Sequence, residues 1–211
     1  MSCSFAGMNF LAHAYLSFQH PQILAGNMIS DFVKGKAQYM FNGNIQKGIQ
    51  LHRSIDEFTD GHPMTIRAKE IFRPAYRLYS GAIMDVIYDH FLATDPALFN
   101  NASLLSFTSD VYTLLEEQSA QLPPNFLQVL YYMKRDNWLH NYRTEAGIRQ
   151  SLRGLARRAR YIEESDTAYA LFIHHYDWLR SCYAGFFPHV KQFAKQRYSE
   201  LLGQPPASEK Y

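Results

Sequence analysis

The chain has 211 residues, of which 47% are apolar and 19% charged, values that describe an ordinary globular domain and exclude a disordered polar chain. A net charge of +2 points by itself to no partner, and with only Cys3 and Cys182 present a disulfide framework and a cysteine-built zinc site are excluded. No Lys or Arg precedes Lys34, so the apolar start MNFLAHAYLSF is not expected to act as a secretory signal. No apolar run approaches the ~20 residues of a membrane helix. The expectation is a cytoplasmic domain with no membrane partner.

Nearly every segment repeats its apolar residues at a period of about 3.6. A short apolar helix is expected over 9–18. PQILAGNMISDFVKG predicts a second, from Pro21, a favourable first residue, to Gly35, a stop. Gly43 and Asn44 precede a helix at 45–60, and Gly61 with Pro63 opens another at 64–79. Ser80 is a candidate N-cap for a helix that stops before Pro96. Further helices are expected at 104–120, 124–135, 145–158 and 166–197, the last broken near Gly185 and Pro188. With no alternating strand pattern and no internal repeat, the fold class is all-α, a single-domain bundle of short helices.

Two of these helices carry unusual polar rows. In GIQLHRSIDEFTDGHP, His52, Asp56 and Asp60 recur at four-residue steps, with His62 just beyond. Residues four apart are neighbours on a helix surface, so this row places acids and an imidazole together without a cation. The helix from Ser80 repeats the pattern. Asp85 and Asp89 share a face, His90 follows, and Ile83, Met84, Val86, Ile87, Phe91 and Leu92 mark the helix as largely buried. No Lys or Arg lies between Arg77 and Lys134. Burying a carboxylate without a partner is costly. Asp31 stands among Ile29, Phe32 and Val33, and His13 sits in the apolar first helix.

Each residue alone has a structural explanation. His13 reads as a hydrogen-bonded core histidine, Asp31 as a helix cap, and Arg53 as a partner for Asp56 or Asp89. Together they read as a metal site of the kind that bundles assemble from facing helices. Imidazole and carboxylate donors without thiolate suit Mn²⁺, Mg²⁺ or Fe²⁺. The helix faces make Asp31, His52, Asp56 and Asp89 the first choices as ligands. His13, Asp85 and His90 follow as second choices and as the catalytic candidates. His90 or His13 is the candidate acid for a leaving oxygen.

Residues 143–160 hold Arg143, Arg149, Arg153, Arg157, Arg158 and Arg160 against Glu145 alone. Arg149, Arg153 and Arg157 share a helix face, which is either a solvated surface or a docking face for an acidic partner. No nucleic-acid motif accompanies the run, so no nucleic-acid partner is expected.

MNFLAHAYLS from Met8, LAGNMISDFVKG, GIQLHRSIDEFTD and DVIYDHFL resemble the bacterial acyl carrier protein phosphodiesterases in order and spacing. NWLHNYR and LARRAR extend the likeness over most of the chain. The resemblance implies removal of the 4′-phosphopantetheine arm from holo-acyl carrier protein. It also implies Mn²⁺ dependence, kinship with the all-α His-Asp phosphohydrolases, and an acidic carrier protein for the arginine face. The sequence departs from the His-Asp pattern, having Asp89-His90 and no His-then-Asp pair. The resemblance sets the domain at 8–200, with 1–7 as an extension and 201–211 as a flexible tail. Two other readings stay open: a His-Asp-type hydrolase of a nucleotide or small phosphate ester, and a non-enzymatic helical binding protein.

Overall fold

The structure is a computed structural model that describes residues 10–159 and 162–203. The expected extension at 1–7 lies outside the described residues, as does the expected tail from residue 204 onward. Every regular element among the described residues is helical.

Helix α1 spans Phe10–Tyr15, shorter than the expected 9–18. Ser17 Oγ donates to the His13 carbonyl at 2.7 Å, and Phe18 and Gln19 adopt positive φ angles of 50° and 58°. Both features divert the chain from the helix. α2, Pro21–Ile29, starts with Pro21 in its first turn as expected. It ends before Gly35, giving way to a 3₁₀ turn at Ser30–Phe32 and a second at Gly35–Met40. α3, Gly43–Gly61, is capped by Asn42, whose Oδ1 accepts from the Ile45 N–H at 3.0 Å.

The helix expected at 64–79 is three pieces: α4 (Pro63–Lys69), α5 (Arg73–Tyr76) and a 3₁₀ turn at Arg77–Tyr79. Pro74 has no N–H with which to continue α4, and Arg77 takes φ 48° before the next element. α6, Ser80–Thr94, begins at Ser80, but Tyr79 occupies the cap position and no side chain caps it. α7 (Asn101–Glu117), α8 (Pro124–Arg135), α9 (Trp138–Asn141) and α10 (Glu145–Arg158) follow.

The final expected helix breaks elsewhere. α11 is Asp166–His174, and α12 runs unbroken from Tyr176 to Leu202, through Gly185 and Pro188. Pro188 costs one backbone hydrogen bond. Phe186, Phe187 and Val190 around it are buried, and that packing holds the helix through the proline. Gly185 lies against the Met64 side chain.

The central helix is α6. Its residues from Ala82 to Ala93 are buried except Asp85, and it packs against α1, α4, α10 and α12. α2 lies across α3 at two glycines. An added Cβ on Gly26 would stand 2.1 Å from the Ile45 carbonyl oxygen, and one on Gly48 would stand 2.3 Å from the Ile23 carbonyl oxygen. Only glycine allows this backbone approach, and it brings the Asn27 carbonyl to the turn of α3 that carries His52.

Candidate metal centre

α1, α3 and the turn at Ser30–Phe32 bring four polar side chains together. His13 stacks on His52, with ring centroids 3.9 Å apart and 16° between the planes. Asp56 stands one turn after His52 and meets both rings. Its Oδ1 lies 3.2 Å from His13 Nε2 and its Oδ2 lies 3.1 Å from His52 Nε2. Asp31 Oδ1 is 3.5 Å from His52 Nε2. One donor atom from each of His13, His52 and Asp56 falls within 4.8 Å of the others, so this group could hold a metal ion.

His52 Nδ1 lies 2.8 Å from the Asn27 carbonyl oxygen. Donating there leaves Nε2 directed at the carboxylates, the usual orientation of a ligating histidine. Asn27 also donates to the His13 carbonyl and to Ser17 Oγ, each at 3.0 Å. One side chain thus ties α2 to α1 while its backbone fixes α3. Both ring nitrogens of His13 are buried without a well-aligned hydrogen-bond partner, and the 3.2 Å contact with Asp56 is chiefly electrostatic. A buried polar nitrogen in that state is costly. An ion between His13, His52 and Asp56 would use the Nε2 lone pair, and on that observation the residues present fit a divalent cation.

The charges agree with the geometry. Burial and the neighbouring His52 charge lower the pKa of His13. Burial also pulls His52 down, but Asp56 and Asp31 outweigh it and raise His52 to about 10. Burial pushes Asp56 up, while His52 and His13 hold its carboxyl well below the usual range. The Asp56 side chain is 46% exposed and that of Asp31 is 23% exposed, so the group opens to solvent on this side.

Of the four first-choice ligands, the structure brings Asp31, His52 and Asp56 together and places Asp89 apart. Asp89 is fully buried. Its Oδ2 accepts from the Leu11 N–H at 3.0 Å and its Oδ1 from the Ala12 N–H at 2.8 Å, and the Tyr142 side chain adds a further hydrogen bond. Burial raises its pKa to about 8 against those donors. Asp89 therefore serves as the acceptor for the free N–H groups at the N-terminus of α1, and both oxygens are committed there. In the structure it holds the helix that carries His13.

His90 is also apart from the group. Its Nδ1 lies 2.8 Å from the Tyr142 carbonyl oxygen and its Nε2 3.1 Å from the Tyr176 hydroxyl. Both nitrogens are engaged within the core. His13, a second choice in the sequence, is at the centre. Asp85 is half-buried on α6. Burial and the charges of Asp56, Asp60 and Asp89 raise its pKa well above the usual carboxylate range. Asp60 instead pairs with Lys69 at 2.5 Å, and His62 Nε2 lies 3.1 Å from His189 Nδ1. Arg53 partners neither Asp56 nor Asp89. It donates to Gln38 Oε1 at 2.7 Å and to the Val33 carbonyl at 3.4 Å.

The arginine row stands on α10, which packs mainly on α6, α9 and α11. Arg149 lies 3.4 Å from Glu145 and its guanidinium 3.6 Å from the Tyr169 ring centroid. Arg153 is 3.9 Å from Asp166. Arg149, Arg153 and Arg157 line a cavity of about 670 Å³ with Phe10, Trp138 and Tyr142. Arg160 lies outside the described residues. Sequence reasoning missed Asn27, whose only signal is a polar residue inside the apolar stretch LAGNMI.

The chain matches the sequence model of the acyl carrier protein phosphodiesterase family over residues 8–190. It is similar to an acyl carrier protein phosphodiesterase of Photorhabdus laumondii, 30% identical over 93% of this chain and 100% of that protein. It is likewise similar to proteins of that name from Enterobacter sp. strain 638, at 32% identity, and Escherichia coli O45:K1, at 34%, each over 90% of this chain and 99% of the relative. No solved structure matches it. The chain belongs to the acyl carrier protein phosphodiesterase family.

Proposed function

We propose that this protein is a divalent metal-dependent phosphodiesterase that hydrolyses the 4′-phosphopantetheine arm from holo-acyl carrier protein. The observation that carries the metal dependence is the approach of two stacked imidazoles to one carboxylate, with His13 Nε2 buried and without a well-aligned hydrogen-bond partner. His13, His52 and Asp56 would hold the ion, with Asp31 beside them. Imidazole and carboxylate donors without thiolate are compatible with Mn²⁺, Mg²⁺ or Fe²⁺, and the family resemblance puts Mn²⁺ first. Such an ion supplies positive charge to a phosphate oxygen and acidifies water near neutral pH.

The chain's own residues do the rest. Asn27 and Asp89 position the two histidines from behind. Water adds to phosphorus, the bond to the serine oxygen breaks, and that oxygen takes a proton. Asp85 is the chain's source for it, because burial and the surrounding acids make its carboxyl hold a proton more strongly than an ordinary aspartate does. The water's own surplus proton passes to solvent, leaving apo-carrier protein and 4′-phosphopantetheine. No described helix is long and apolar enough to cross a membrane, and this reading assigns the reaction to the cytoplasm.

Holo-acyl carrier protein incubated with the enzyme and Mn²⁺ should lose the mass of the arm. An unchanged mass spectrum with any of the three metals overturns the reading. Proton release gives an independent check on the site. Without metal, His52 keeps its proton up to a pH of about 10, so an incoming ion must displace it. Calorimetry at pH 7 in buffers of different ionisation heat should report about one proton released per Mn²⁺ bound. Binding heats that do not depend on the buffer contradict this assignment of His52.

A further inference from the structure

The metal group opens to solvent at Asp56 and Asp31, so the protein that carries the scissile phosphodiester must sit over that opening. Between these two aspartates the chain holds Lys34, Lys36, Lys47 and Arg53 and no acidic residue. Lys34, Lys36 and Arg53 are exposed. Among the described residues, none of these cations forms an ion pair. The 3₁₀ turn Gly35–Met40 also presents Tyr39, 67% exposed, and Met40, 87% exposed. Tyr, Met and Arg are types that interfaces favour.

The segment is fixed to the site. Arg53 lies between His52 and Asp56 on α3, and its guanidinium holds Gln38 and the Val33 carbonyl. Asp31 stands only three residues before Lys34. Cations and two exposed apolar side chains therefore form one rim of the opening. The α10 row is less available, since Arg149 and Arg153 have acidic neighbours within their own part of the fold.

We propose that Lys34, Lys36 and Arg53, with Tyr39 and Met40, form the docking platform for the carrier protein. It would receive an acidic, partly apolar face flanking the modified serine. This rests on the phosphodiesterase reading above. The platform gives the encounter its charge steering and sets the orientation in which the phosphodiester reaches His13, His52 and Asp56.

The test titrates holo-acyl carrier protein against the full-length protein, and runs the arm-release assay in parallel. The K34E/K36E double variant should weaken Kd about tenfold at low salt, with the gap to wild type narrowing at high salt. Its KM should rise more than its kcat falls. Y39A/M40A should weaken binding with little salt dependence, because it removes apolar contact. Equal Kd for wild type and both double variants overturns the platform and leaves arm release standing. A larger loss in R153E/R157E than in K34E/K36E also overturns it and gives docking to α10. A wild type that binds without releasing the arm overturns the phosphodiesterase reading, while the same titration still decides the platform.

Discussion

Asp56→Ala should strip the protein of bound metal and lower kcat by roughly a thousandfold or more, since the carboxylate is both a ligand and the group that aligns two others. Asp56 meets both imidazoles, at 3.2 and 3.1 Å. Its removal leaves the stacked histidines without their shared anion. The side chain is partly exposed, so circular dichroism should show the helices retained. Asp89→Ala should behave in the opposite way. It strands two backbone N–H groups at the start of α1, at a cost of about 3 kcal/mol. The folded fraction should still bind metal, though more weakly, because Asp89 acts on the ion only through the helix that carries His13. Elemental analysis after gel filtration separates the two. Full metal occupancy in Asp56→Ala would remove Asp56 from the site.

Gly48→Ala should damage both the fold and the metal group. The new Cβ would stand 2.3 Å from the Ile23 carbonyl oxygen and 2.8 Å from Gly26 Cα. Both are backbone atoms, so neither can rotate away, and α2 must lift from α3. Overpacking of this kind costs about 3 kcal/mol, which lowers Tm by roughly 6–12 °C for a chain of this size. The lift also draws the Asn27 carbonyl away from His52 Nδ1, so metal affinity should fall with stability. A thermal melt and a metal titration on the same sample test both. An unshifted Tm would mean that the close crossing of α2 and α3 does not exist.

Period and punctuation carried most of the fold. Pro21 and Pro96 bound helices where turn chemistry puts them, while α3 starts at Gly43, ahead of the expected 45, because Asn42 caps it. The α4–α5 break was also written in the chain, at Pro74, and went unread. Pro188 was the reverse case: a local breaker overridden by the buried residues around it. In the site, the four-step row in α3 was legible because two of its members share a helix. Spacing could not rank His13 above Asp89. That choice depends on whether a buried acid faces a donor atom of another helix or the bare N–H groups of its N-terminus, which is a matter of tertiary contact. Asp89 had the row, the burial and the charge of a ligand, and α1 used all three for its own cap.

α1 has six residues, too few to persist alone in water. It exists because Asp89 holds its first turn and because Asn27 and Ser17 bind its later carbonyl at His13. The helix that brings His13 to the centre thus takes its stability from its neighbours and not from its own length. Ion capture and the holding of α1 are one equilibrium seen from two sides. Whatever loosens the far end of α1, at Asp89 on the central helix, is felt as a weaker grip on the ion.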